Sequence, residues 1–131
     1  MWPRQWAQDR RHIREAISAA VRNHDKELFL YSEGLLHVPP RIGALTQLQR
    51  LHLGANQLTV LPEATLQLKS LQLLGLGRNH FSTFPEILCF LPSLQELLLF
   101  DNLLTEVLCV CVCVCVRVYV FMSVSVWALA R

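Results

Sequence analysis

Apolar residues recur through the middle of the chain at fixed offsets. The segment Leu48-Gln-Arg-Leu51-His-Leu53-Gly-Ala-Asn56-Gln-Leu58 realigns on Leu71-Gln-Leu-Leu74-Gly-Leu76-Gly-Arg-Asn79-His-Phe81, and again on Leu94-Gln-Glu-Leu97-Leu-Leu99-Phe-Asp-Asn102-Leu-Leu104, each step being 23 residues. One step back, Leu28-Phe-Leu30 opens a degenerate copy in which Glu33 stands where the others have asparagine. The second halves align too: Val38-Pro39, Leu61-Pro62 and Phe84-Pro85, then Ile42, Thr65 and Leu88, then Leu45, Leu68 and Leu91. Leu51 and Leu53 alternate with His52, so each copy predicts a short strand with one face turned inward. One copy alone buries little apolar surface. Stacked copies share a continuous core, about three are needed for stability, and four clear that threshold narrowly. The expectation is therefore near-identical strands centred on Leu51, Leu74 and Leu97, stacked parallel behind a first one at Leu28.

Asn56, Asn79 and Asn102 fall where the chain turns off each strand. An amide there both donates and accepts, and is expected to satisfy backbone groups of its own turn and of the next coil. Pro39, Pro62 and Pro85 fix an extended return path toward the outer side of the stack. Before the repeats, Trp6, Ile13, Ile17 and Val21, with Ala16 and Ala20, form one stripe at helical spacing, while Arg10, Arg11, Arg14, Glu15 and Arg22 point elsewhere. This predicts an amphipathic helix capping the open end of the first copy.

The pattern LxxLxLxxNxL followed by a Leu-Pro pair is similar to the leucine-rich-repeat motif, and its short 23-residue form resembles the intracellular, Ras-signalling group of such proteins. The resemblance covers roughly residues 25–107. It implies an α/β solenoid of about four repeats, with a cap helix over residues 1–24 and a non-repeat apolar tail over residues 108–131. It also implies a non-enzymatic adaptor or scaffold that binds a protein partner on its concave sheet face, without a cofactor. By strand register that face carries Phe29, Tyr31, Arg50, His52, Arg78, Glu96, Leu98 and Phe100, with Glu27, Leu73, Gly75 and Asp101 beside them. Aromatic and arginine side chains are common anchors of protein interfaces.

Composition changes this picture only at the end of the chain. Hydrophobic residues make up 53% and charged residues 17% of the 131, and the apolar excess lies after Glu106. From Cys109 valine alternates with cysteine, then with Arg117, Tyr119, Phe121, Ser123, Ser125 and Trp127, with Met122 and Ala128 standing in two of the valine places. A GT dinucleotide run reads Val-Cys-Val-Cys in any frame, and each departure is one base from TGT or GTG, so residues 109–128 read as a decayed microsatellite. Glu106-Val107 can be encoded in the AG/GT context of a splice donor, which predicts a truncated or alternatively spliced chain that leaves the repeats after Glu106. A fifth repeat would need Val120, Met122 and Trp127 in its apolar slots, with Leu108 for the proline, Arg117 for the leading leucine and Ser125 for the asparagine. The other two readings are a membrane anchor over residues 108–130, where apolar length suffices but Arg117 opposes insertion, and a splice product with no settled role. The valine-rich run and an uncapped strand near Leu97 together predict self-association.

Twelve basic and ten acidic side chains are too balanced for a nucleic-acid surface. The first residues lack the apolar core of a secretory signal, so the expected compartment is the cytoplasm, with the membrane as the alternative. Four cysteines at 109–115 do not space a disulfide framework. On a strand they would step about 6.6 Å along one face, too far apart to share one tetrahedral ion, and no metal site is expected. No catalytic set emerges either. His37, His52 and His80 have no carboxylate partner evident in the sequence, Cys89 reads as a structural thiol, and Gly75 and Gly77 only lack bulk.

Overall fold

The computed structural model describes residues 4–104 and 117–119. A helix, α1 (Arg4–Asn23), leads into five strands: β1 (Glu27–Phe29), β2 (Arg50–His52), β3 (Leu73–Gly75), β4 (Glu96–Leu98) and β5 (Arg117–Tyr119). They form one parallel sheet in sequence order. Leu28 pairs with Leu51, Leu51 with Leu74 and Leu74 with Leu97, so the 23-residue period becomes the sheet register. Between successive strands from β1 to β4 a 310 turn crosses the opposite side: Pro40–Ala44, Glu63–Gln67 and Glu86–Phe90. Each turn follows a proline held in extended backbone, whose carbonyl accepts from the amide three residues on, Ile42, Thr65 or Leu88, at 3.0–3.1 Å. Residues 25–104 form a solenoid of four repeats, strands on one side and 310 turns on the other.

Stacking by whole repeats puts equivalent residues in columns. Leu28, Leu51, Leu74 and Leu97 form one; Leu30, Leu53, Leu76 and Leu99 the next; Leu48, Leu71 and Leu94 a third, and all of these are buried in one core. Ile13, Ile17 and Ala20 of α1 join that core, with Ala16 and Val21 packed against it, so the helix caps the first repeat. Its end has an explicit stop. His24 adopts φ 52°, its amide donates to the Val21 carbonyl at 3.3 Å, and the Asp25 amide reaches the Ala20 carbonyl at 3.0 Å, the paired bonds of a Schellman motif.

The asparagines tie the coils together. Asn79 Nδ2 donates to the carbonyls of Leu76 and Gly77 in its own turn and of Leu53 in the preceding coil, while its Oδ1 accepts from the Leu58 amide of that coil. Asn56 does the same toward Leu53, Gly54, Leu30 and Leu35, and Asn102 toward Leu99, Phe100, Leu76 and Phe81. The second coil bridged is thus the preceding one, not the next as expected. That direction explains Glu33: the first repeat has no coil before it, so an asparagine there would have nothing to bridge. The residue before each of these positions, Ser32, Ala55, Arg78 and Asp101, is left-handed, with φ between 53° and 56°. The sequence pattern carries no sign of this, because none of the four is glycine.

The tail differs from expectation in one visible place. Arg117–Tyr119 pairs in parallel with β4, Leu97 standing opposite Val118, so β4 is not the outermost strand. The step is 21 residues, whereas a fifth copy of the 23-residue period would have placed Val120 opposite Leu97. Cys109, Cys111, Cys113, Cys115 and the remaining tail positions lie outside the described residues, as does the side chain of Trp6.

Two predictions follow from the turn chemistry. Asn79→Ala leaves the buried Leu58 amide without its acceptor, which costs about 1–3 kcal/mol; Asn102→Ala should cost less, because its site is half-buried and water reaches it. Urea denaturation of both variants measures the difference. At Ala55 the left-handed backbone penalises a Cβ by about 1–2 kcal/mol, against glycine's entropy of about 0.5–1 kcal/mol. Ala55→Gly should therefore be neutral or stabilising in the same assay, where an ordinary Ala→Gly change weakens a fold.

Candidate protein-binding surface

Three rows of side chains cross the outward face of the sheet. The first runs Glu27, Arg50, Leu73, Glu96, and the second Phe29, His52, Gly75, Leu98, both set by strand register. The third runs Tyr31, Gly54, Gly77, Phe100 along the continuing backbone ladder, in which Ser32 donates to the Gly54 carbonyl, Ala55 to Gly77 and Arg78 to Phe100, at 2.9–3.0 Å. The sheet supplies a rigid frame for all three.

Within it the expected residues are not equivalent. Phe29 is 64% exposed and Tyr31 52%. Phe29 stacks on His52 with ring centroids 4.5 Å apart and planes 5° from parallel. His52 Nε2 lies 2.8 Å from Glu27 Oε1, on the diagonal neighbour across the strand pair. The carboxylate partner that the linear sequence hides is thus 25 residues away. Arg50 is exposed, while Glu96, Leu98 and Phe100 are half-buried. Arg78 is not on the sheet face itself: it occupies the left-handed corner where the chain leaves the sheet, its Nε 3.7 Å from Asp101 Oδ2, with both side chains largely in solvent. A pair so exposed adds little stability.

Sequence reasoning passed over Gly54 and read Gly77 as only lacking bulk, without what fills the space above either. A Cβ on Gly54 would stand 2.9 Å from Tyr31 Cε2, and one on Gly77 would overlap the Phe100 ring. Each aromatic ring therefore lies inward over the glycine of the neighbouring repeat. The signal was present as a large–small–small–large row once the repeats are aligned. Gly75 is different: its ideal Cβ has no neighbour closer than 3.8 Å, so nothing in the fold requires glycine there.

Comparison with known families matches residues 46–104 to the family described as leucine rich repeat. Over residues 46–104 the coils of this solenoid match leucine-rich repeats. Among solved structures, an internalin (inlF) from Listeria monocytogenes is similar with a TM-score of 0.58 and 24% identity over 71% of this chain and 30% of its own. A second internalin (inlC2) from the same organism gives 0.54 and 26%, over 66% of this chain and 37% of its own. The chain thus spans about a third of the length of these leucine-rich-repeat structures. No curated protein matches it in sequence. Leucine-rich-repeat folds serve generally as protein-interaction modules, and the exposed aromatics of this repeat face suit that role.

Among the described residues there is no group of three or more potential metal ligands and no helix long and apolar enough to cross a membrane. On the outer side, Val60, Leu61, Phe84, Pro85 and Ile87 line a groove of about 520 Å3 between the second and third repeats. Cys89 is half-buried against the core nearby.

The ring-over-glycine packing is testable by a double-mutant cycle. Gly77→Ala should cost about 1–3 kcal/mol by displacing the Phe100 ring. In a Phe100→Ala background most of that cost should vanish, a coupling of about 0.5–3 kcal/mol. Equal costs in both backgrounds would show that the ring is not what fills the space.

Proposed function

We propose that this protein is a non-enzymatic adaptor that binds a protein partner on the concave face of its leucine-rich repeats, in intracellular signalling and in the cytoplasm. The observation that carries the reading is the pair of largely exposed aromatics, Phe29 and Tyr31, held beside exposed Arg50 on a rigid sheet. Aromatic and arginine anchors supply most of the energy of protein interfaces. The His52 ring, fixed between Phe29 and Glu27, is ordered before any partner arrives, which reduces the entropy lost on association. The signalling and cytoplasmic parts rest on the likeness of the 23-residue repeat to the intracellular group. Against the anchor reading stands β5: a helix across residues 108–130 would need Arg117–Tyr119 helical, and they pair as a strand.

Photo-crosslinking tests the surface directly. A photoreactive residue at position 50 should capture a partner, and one at position 60, on the outer groove, should not. Phe29→Ala together with Tyr31→Ala should weaken that capture by about tenfold or more, the loss typical of interface anchors, with far-UV circular dichroism unchanged. Capture at position 60, or capture insensitive to the double variant, would move the site to the outer side or to α1.

A further inference from the structure

Glu27 and Arg50 stand directly opposite each other in the register of β1 and β2, so their side chains leave one face across a strand spacing of about 4.8 Å. They do not pair. Glu27 Oε1 lies instead 2.8 Å from His52 Nε2 on the diagonal, and the His52 ring is held by its stack on Phe29. The contacts between basic side chains and carboxylates among the described residues are His52–Glu27 and Arg78–Asp101, and no hydrogen bond among them engages the Arg50 guanidinium. On its other side Arg50 stands opposite Leu73, whose side chain offers no acceptor. An exposed guanidinium is therefore left without a partner among the described residues, on the same face as the exposed Phe29 ring.

A guanidinium presents its N–H groups as a fixed planar fork that donates to both oxygens of a carboxylate at once. In open solvent such a pair adds little. A partner that covers Phe29 and the His52 ring stacked on it also removes water from the neighbouring guanidinium, and a charge taken out of water without a counter-charge is costly. The partner must therefore bring the acceptor that Glu27 does not supply. We propose that the protein partner seats an aspartate or glutamate on Arg50, next to an apolar residue seated on Phe29 and Tyr31. This pairing presupposes that the partner occupies the sheet face. The contact with His52 has two consequences there: it orders the aromatic ring, and it turns the in-register carboxylate away from the guanidinium, leaving the fork open to the partner.

Selection of displayed random peptides on the full chain, followed by titration with the enriched sequence as a free peptide, tests this. That sequence should hold an aspartate or glutamate next to an apolar residue. Arg50→Gln should weaken its binding by about tenfold or more, as should replacing the peptide's acid by its amide, with no further loss when both changes are combined. Arg50→Glu should lose the acidic peptide and gain the version in which lysine replaces the acid, a reversal that a misfolded variant cannot produce. Phe29→Ala with Tyr31→Ala separates the two levels of the reading. A peptide that is lost to this double variant yet indifferent to Arg50→Gln would overturn the carboxylate pairing and leave the sheet face as the site. A peptide indifferent to both would overturn the sheet-face site, and the pairing with it.

Discussion

A chain of shared hydrogen bonds runs the length of the turn where the repeats leave the sheet, and the rest of the architecture is arranged around it. The Leu53 carbonyl accepts from its own Asn56 and from Asn79 of the following repeat; the Leu76 carbonyl accepts from Asn79 and Asn102. Each amide therefore belongs to two coils, and consecutive bonds polarise one another in a buried setting. An amide side chain is the group that fits, since a carboxylate cannot donate and a hydroxyl cannot reach several carbonyls while accepting from an amide. A left-handed residue stands just before each asparagine, Ala55, Arg78 and Asp101, and Ser32 takes the same backbone before Glu33, none of the four being glycine. Strain recurring at one position in every repeat is compensated by the bonds it makes possible.

Because every asparagine reaches back toward the N-terminus, the two ends of the stack face different problems. At the start there is no earlier coil, and α1 fills the gap with Ile13, Ile17 and Ala20 in place of a repeat's leucines. At the other end Asn102 closes the last bridge, and nothing after it repeats the device at the same spacing. There β5 is tied to β4 by backbone pairing at a shortened step.

The candidate surface inherits its order from the same constraint. Strands held at whole-repeat offsets bring Glu27, Phe29 and His52 into one cluster and lay Tyr31 and Phe100 over neighbouring glycines. These contacts join residues from adjacent coils, so the surface exists only when the stack does. The exposed aromatics at the β1 end and the half-buried Phe100 at the β4 end give the face an asymmetry that the near-identical repeats would not suggest.

Much of this was legible from the residues alone. The leucine columns, the parallel register from β1 to β4, the cap stripe of α1 and the turn asparagines follow from a 23-residue period, because a period that long leaves stacking as the way to bury so many leucines. Alternation also set Glu27, Phe29, Arg50 and His52 on the face opposite the buried leucines, whereas Gly75 is buried. What the linear order withholds is set between coils. The direction of the asparagine bonds, the Glu27–His52 contact, the ring-over-glycine packing and the placing of Arg78 at a left-handed corner each depend on which atoms of a neighbouring repeat lie within about 3–4 Å, a distance scale that spacing along the chain does not encode. The step of 21 at β5 belongs to the same class. An alternating valine run offers Leu97 a valine at more than one step, so the step is read only from the backbone pairing of the folded stack.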